Sequence, residues 1–335
     1  NISRHSRPYI IAEIGVNHDG CLKRAEDLLR QTAAVGADAV KFQIFDAGML
    51  LSSHASLTQG QRDGGEQSAL DMLQRLALSF AELRHLIEIA HGLNLHAVAS
   101  VFSEQLVKQA SEQPWDAFKV ASPDIVNEPL LEALMRTGRP LFLSTGAATM
   151  QEVNAARQQL GCYPFALMHC VSAYPTPDEH ANLGGISFLS TGNDQAVGYS
   201  DHTTSVDTGA MAVIAGASVL EKHVTFNRKA NGPDHAMSLE PANLANYVSL
   251  AHRAYEMIGE RVKEPQPVER EVRTLTRQSL TSTRFLSQGT VIEAGDLTLK
   301  RPGHGLPPSA LKQTIGRQLA VDLEADVPIQ LSDLI

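Results

Sequence analysis

Cysteine is scarce in this chain. Its three cysteines, Cys21, Cys162 and Cys170, are widely spaced and form no CxxC pair. Such an odd, scattered set supplies neither a disulfide framework nor a zinc motif, and a reducing, cytoplasmic setting is expected. Long hydrophobic runs are missing too. Apolar stretches such as Met211–Leu220, broken by a glycine, fall far short of the roughly 20 residues a membrane span needs, and the polar, basic Asn1–Tyr9 does not read as a signal peptide. Positive charge is in deficit, with 28 Lys and Arg against 37 Asp and Glu for a net charge of −9. Neither a nucleic acid nor an anionic membrane is therefore expected as a partner. What remains is 335 residues, 43% hydrophobic and 19% charged, enough for one large domain or two ordinary ones and unlike a disordered chain.

Short runs rich in Val, Ile and Phe recur at Tyr9–Asn17, Ala39–Phe45, His96–Phe102, Ala117–Ser122, Pro140–Thr145, Phe165–Val171, Ala196–His202 and Val219–Thr225. Most are near-continuously apolar, as expected of parallel strands covered on both faces. Amphipathic segments lie between them, clearest at Leu22–Val35, Phe80–His91, Glu104–Gln113, Glu128–Thr137, Met150–Leu160 and Ser205–Ala215, with start signals at Ser79, Asn127 and Thr149. Eight strand–helix cycles in about 250 residues predict an α/β fold, the (β/α)8 TIM barrel. An open doubly wound sheet is the runner-up, disfavoured by the count and by the absence of G-x-G-x-x-G after the first strand. The polar insertion Asp46–Ser68 reads either as a substrate-contacting loop or as a tolerated surface insertion. After the helix Asn243–Ile258 the composition changes. The expected division is a barrel over 1–260, a Pro-containing linker over 261–275, and a small, turn-rich, mainly β module over 276–335.

Charge intrudes on the apolar strands at Glu13, Lys41, Lys119, Glu221, Lys222 and His223, and Ser144, Ser200 and His202 stand at strand ends. Strand alternation puts Lys41 with Gln43, Ser200 with His202, and Glu221 with His223 on shared faces. Each has an ordinary explanation: Lys41 and Glu13 as a buried pair, a lone histidine as a satisfied core residue, a serine as a helix cap. Together they place polar groups toward one end of most strands, which structure alone does not require. Two lysines and several hydroxyls suit a phosphate or carboxylate. His202 and His223 are candidates to hold a divalent metal with open positions, and Glu13 and Glu221 are candidates for proton transfer or for gripping hydroxyls.

These residues fall in ordered motifs: Ile11-Ala12-Glu13-Ile14-Gly15-Val16-Asn17-His18-Asp19-Gly20, Val40-Lys41-Phe42-Gln43, Phe118-Lys119-Val120-Ala121-Ser122, Leu143-Ser144-Thr145-Gly146, Tyr174-Pro175-Thr176-Pro177, Gly198-Tyr199-Ser200-Asp201-His202-Thr203, Glu221-Lys222-His223 and Gly232-Pro233-Asp234-His235. With Lys300-Arg301-Pro302-Gly303-His304-Gly305 near the end, the chain resembles the sialic acid synthase family over almost its whole length. Those nonulosonic acid synthases carry a C-terminal antifreeze-like (SAF) domain. The resemblance implies condensation of phosphoenolpyruvate with an N-acylated hexosamine in a domain-swapped homodimer. It implies that Lys41, Lys119, Ser122, Ser144 and Ser200 hold phosphoenolpyruvate, with Ser100 where the family usually has Thr. It places Mn2+ or Mg2+ on His202 and His223. Glu13, Gln43, Tyr174, Asp234 and Glu221 would face the sugar and the reacting centre, and Arg301 would reach its N-acyl group from the other subunit. The resemblance also implies a substrate-binding role for Asp124, which stands where the family often has Glu and keeps a carboxylate with shorter reach. Ser172 replaces a frequent Asn, and Asp46–Ser68 matches poorly. These departures leave the identity of the sugar open. From residue chemistry alone, a metal-dependent aldolase or lyase acting on a phosphorylated sugar is the alternative.

Overall fold

The apolar runs become strands because each is short, β-branched and covered on both sides. The computed structural model describes residues 2–3, 5–52, 54–58, 61–62, 65–192, 195–260 and 262–335. Eight parallel strands, β1 (Tyr9–Gly15), β2 (Ala39–Ile44), β3 (His96–Val101), β4 (Ala117–Val120), β5 (Leu141–Ser144), β6 (Phe165–Cys170), β7 (Val197–Asp201) and β8 (Val219–His223), close in sequence order into a barrel. The expected TIM barrel is thus present. Ser79 and Thr149 each form a capping box with the glutamate three residues on, and Asn127 accepts from the Leu130 amide, so the start signals act as read.

The strands carry two cores. Side chains pointing outward, among them Ile10, Ile14, Phe42, Phe118, Leu143 and Leu220, pack with Leu86, Leu131 and Tyr247 of the helical layer. Those pointing inward form a separate cluster, Ile11, Ala39, Val98, Ala117, Phe142, Met168 and Val219. Two residues further along each strand the interior turns polar: Ile11 is followed on its face by Glu13, Ala39 by Lys41, Val98 by Ser100, Ala117 by Lys119, Phe142 by Ser144 and Val219 by Glu221. The apolar floor thereby puts the chemistry at the C-terminal mouth, where TIM barrels keep it.

The chain divides into two compact units, Asn1–Gly259 and Glu260–Ile335. In the second, β9 (Ser279–Ser282) pairs antiparallel with β10 (Leu297–Lys300) above a core of Leu286, Ile292, Leu319, Leu323, Ile329 and Leu334. The segment read as a linker contains local structure. Its Gln266 amide donates to Glu269 at 2.7 Å, capping a 3-10 turn that runs into the helix Arg270–Thr276. Among the described residues no helix is long and apolar enough to cross a membrane.

The barrel interior leaves no room at Gly198, where an added Cβ would lie 2.4 Å from the Met168 sulfur and 2.7 Å from the Val219 carbonyl oxygen. Gly198→Ala should cost about 1–3 kcal/mol in chemical denaturation, as overpacking does; an unchanged midpoint would contradict this packing.

Candidate active site

Register brings the charged side chains together. Glu13 on β1 is paired with Lys41 on β2 and His223 on β8, while Ser100 on β3 faces Lys119 on β4 and Ser200 on β7 faces Glu221 on β8. Lys41 Nζ lies 3.4 Å from Glu13 Oε2 and 3.2 Å from Glu221 Oε2, and it donates to Ser100 Oγ at 3.3 Å. Lys119 Nζ donates to Glu221 Oε1 at 2.8 Å, and Ser200 Oγ donates to the same oxygen at 2.7 Å. Gln43 Nε2 donates to Glu13 Oε1 at 3.0 Å. All four charged groups are buried, Glu13 completely.

Burial and neighbours drive the two carboxyls apart. Burial lifts Glu13 to about 7, against the pull of Lys41. Burial also pushes Glu221 up, but the ammonium groups of Lys119 and Lys41 outweigh it and hold this carboxyl well below the usual range. At neutral pH Glu221 is therefore ionised, while burial lifts Glu13 and, against the pull of Glu221, lowers the Lys119 ammonium. Two lysines that share one firmly ionised carboxylate suit an anion in the cavity.

The cavity has a volume of about 310 Å³ and is lined by Glu13, Lys41, Gln43, Ser100, Lys119, Ser122, Ser144, Tyr174, Ser200, His202, Glu221, His223 and Asp234, a size typical of small-molecule sites. Two glycines permit this convergence. An added Cβ at Gly15, with φ +55°, would lie 2.8 Å from Glu13 Oε1. One at Gly146 would lie 2.7 Å from Ser122 Oγ, which instead accepts from the Gly146 amide at 3.1 Å. Asp124 is the exception among the expected barrel residues. It does not line the cavity, because its 3-10 turn, Ser122–Val126, directs its carboxylate to Asn127 Nδ2 at 3.4 Å. Arg301 follows β10 in the second unit and is exposed there.

The two histidines have ring centroids 5.5 Å apart, and Tyr174 lies against His202 at 4.2 Å. His202 Nδ1 is 2.9 Å from the Val171 carbonyl, which only accepts, so Nδ1 carries a proton; burial pushes this imidazole's pKa down, but Cys170 and the carbonyl outweigh it and raise it, so Nε2 offers a lone pair only in the neutral form of the ring. His223 Nδ1 is buried without a hydrogen-bond partner, 3.6 Å from Asp234 Oδ2. Burial, with His202 and Lys41 nearby, keeps this imidazole neutral, as a metal ligand must be. Among the described residues no three His, Cys, Asp or Glu side chains form a ready-made metal cluster. The unpartnered His223 Nδ1 and the His202 ring beside it are the imidazole donors whose chemistry suits a divalent cation with its remaining positions open.

Residues outside the expected set also line the cavity. Phe45 and Phe102 continue the faces of Lys41–Gln43 and Ser100, a signal available in the period-two pattern. Leu50, Thr58 and Gln61 come from the polar insertion, which the structure thus shows reaching the site, and Met72, Leu73 and Leu76 come from a helix, Ala69–Leu76, that the sequence reading did not contain. Cys170 lines it too; burial pushes its thiol up, but His202, Ser122 and Lys119 outweigh this and bring it to about 7.

Residues 28–263 match the NeuB family model and residues 277–335 the SAF domain model. The chain belongs to the NeuB family. It is 35% identical to the N,N'-diacetyllegionaminic acid synthase of Legionella pneumophila, over 95% of this chain and 92% of that one. It is 31% identical to the human N-acetylneuraminate-9-phosphate synthase, over 95% and 90%. The crystal structure of an N-acetylneuraminic acid synthetase from Leptospira borgpetersenii in complex with citrate superposes with a TM-score of 0.74 at 31% identity, covering 80% of this chain and 90% of that one. The chain is an enzyme of this synthase family.

The strands bearing the two histidines are clamped from outside. On the outer face Lys222 Nζ and Asp201 Oδ2 pair at 3.0 Å, both fully buried, and Lys222 also donates to the Thr203 carbonyl at 2.6 Å. Lys222→Met should cost about 3–5 kcal/mol in denaturant unfolding because Asp201 loses its partner; a loss below about 1 kcal/mol would contradict the clamp.

Proposed function

We propose that the protein condenses phosphoenolpyruvate with the open-chain aldehyde of an N-acylated hexosamine and water, giving a nine-carbon nonulosonic acid and phosphate by C–O cleavage. The observation that carries this is the buried pair of lysines, Lys41 and Lys119, in one cavity with the imidazoles of His202 and His223. The lysines, with Ser100, Ser122, Ser144 and Ser200, hold the phosphate and carboxylate of phosphoenolpyruvate. Glu13, Gln43, Tyr174, Asp234 and Glu221 face the sugar. His202 and His223 hold Mn2+ or Mg2+, which when bound polarises the aldehyde oxygen.

Glu221, a carboxylate, accepts hydrogen bonds from the sugar and orients it so that the enol carbon of phosphoenolpyruvate forms the new C–C bond as the aldehyde C=O opens to an alkoxide and C2 becomes an oxocarbenium. Water then adds at C2 and gives its proton to Glu13, whose carboxyl near 7 suits it to take that proton and return it to the alkoxide at neutral pH. The tetrahedral centre breaks its bond from C2 to the phosphate oxygen, the C2 hydroxyl proton leaves with phosphate as the ketone forms, and Lys41 and Lys119 counter the departing charge. The family resemblance supports a domain-swapped homodimer in which the partner subunit's Arg301 meets the N-acyl group, and a cytoplasmic location.

Incubation with phosphoenolpyruvate, Mn2+ and a panel of N-acyl hexosamines should release inorganic phosphate and yield an acid of the summed mass. Turnover of a phosphorylated sugar alone, without phosphate release from phosphoenolpyruvate, would instead favour an aldolase. Glu221→Gln should lower kcat by about 10²-fold or more, as misplacing the reacting groups does; a change under about threefold would make it a packing residue. His223→Ala should abolish metal-dependent turnover with the circular dichroism spectrum unchanged, and retained activity would remove the metal assignment.

A further inference from the structure

Asp234 reaches the cavity from a loop that leaves β8 and returns to it. Val224 bridges Leu239, the Leu239 amide donates to the His223 carbonyl at 2.9 Å, and the Thr225 amide donates to the Leu239 carbonyl at 2.9 Å. The excursion 226–238 is thus pinned at its base. At 3.6 Å from His223 Nδ1 the Asp234 carboxylate is beyond hydrogen-bond length, so the loop backbone, not a bond to His223, sets where it sits. That backbone is held from the turn after β1. Asn17 Nδ2 donates to the Val224 carbonyl and to Ser238 Oγ, both at 2.8 Å, and Ser238 Oγ in turn donates to the Asp234 carbonyl at 2.6 Å. A second clasp runs beside the first. His235 Nε2 donates to Asp19 Oδ1 at 3.0 Å, and its Nδ1 lies 2.7 Å from Thr225 Oγ1. Arg24 pairs with the other Asp19 oxygen and lies 4.3 Å over the Phe226 ring, which meets His235 edge to face.

Resting on the synthase reading above, we infer that Asn17 and Asp19 are positioning residues for the acceptor sugar. Acting through Ser238 and His235, they hold the Asp234 carboxylate where it accepts hydrogen bonds from the sugar's hydroxyls. None of these four clasp residues lines the cavity, and Asn17, Ser238 and His235 are fully buried, so contact with substrate does not account for them. Loop packing alone would not require their chemistry. Asn17 turns both amide protons onto the loop and its partner serine while its Oδ1 is buried without a partner, a cost that an apolar side chain in its place would not carry. Asp19 is held at φ +51°, a left-handed conformation that strains most non-glycine residues, and from there its two oxygens serve His235 and Arg24. Both clasps reach the loop bearing Asp234. Lys41 and Lys119 stand on β2 and β4, outside it, so loosening the clasps should weaken the hold on the acceptor and spare phosphoenolpyruvate.

The test reads the two substrates separately. Acceptor KM comes from phosphate release with N-acetylmannosamine, or with the panel sugar turned over fastest, and phosphoenolpyruvate Kd from titration calorimetry with Mn2+ and no sugar. Ser238→Ala, which removes one oxygen from the first clasp, should raise the acceptor KM about tenfold or more and leave the phosphoenolpyruvate Kd within about twofold, since a misplacement of about 1 Å can cost about 10²-fold. In an Asp234→Ala background the same substitution should change the acceptor KM less than about twofold, because its effect runs through Asp234. From the second clasp, His235→Ala should repeat the loss, and His235→Gln, whose side-chain amide still donates to Asp19, should recover most of it. An acceptor KM unchanged by both Ser238→Ala and His235→Ala, an equal loss of phosphoenolpyruvate affinity, or an undiminished effect in the Asp234→Ala background would overturn the inference and leave the synthase reading standing. Absence of phosphate release by the wild-type protein with every panel sugar would overturn the synthase reading, and this inference with it.

Discussion

Two lysine ammonium groups inside a closed sheet are the constraint on which the rest of the barrel mouth depends. A buried charge survives only when paired and hydrogen-bonded. Here one carboxylate, Glu221, serves both Lys41 and Lys119, and Ser200 donates to it as well. The other carboxyl, Glu13, is held by Gln43 and lifted by burial to about 7, so it supplies only part of a negative charge at neutral pH. Hydrophobic residues of similar volume would have stabilised such a core at least as well. On the proposed function, the cluster is a charge set that an anionic substrate completes.

The architecture then assigns separate tasks to the two faces of each strand. Outward residues bind the helices, and on β7 and β8 they include the Asp201–Lys222 clamp. Inward residues begin as an apolar floor and end as chemistry, two positions later. Because Asp201 and Lys222 immediately precede His202 and His223, the clamp fixes the strand ends from which both imidazoles project. The site's floor thus comes from the barrel strands, while part of its wall comes from the segment after β2. There the chain departs from the regular cycle and builds an apolar wall that the barrel alone would not provide.

Much of this was legible before any coordinates. Period-two alternation puts Lys41 with Gln43, Ser200 with His202 and Glu221 with His223 on shared faces, and apolar strands covered on both sides make charges such as Glu13 and Lys119 conspicuous. Capping boxes marked the helices after Ser79 and Thr149 for an equally local reason. The illegible parts have non-local causes. Phe45 and Phe102 look like ordinary strand hydrophobics, and only the closed barrel shows them facing a cavity. Met72 and Leu76 carry no motif, and their helix adjoins a polar stretch that reads as loop. Asp124 was misplaced because a turn, unlike a strand, does not fix the direction of its side chains: its carboxylate is spent on Asn127.

The central claim is that the buried lysines are the seat of the enolpyruvyl phosphate, and a crystal structure of the protein with bound phosphoenolpyruvate tests it most directly. The account predicts phosphate or carboxylate oxygens within hydrogen-bond distance of both Lys41 Nζ and Lys119 Nζ, with Glu221 still in the same cluster. Phosphoenolpyruvate bound elsewhere, with the lysine–glutamate cluster intact and untouched, would contradict it.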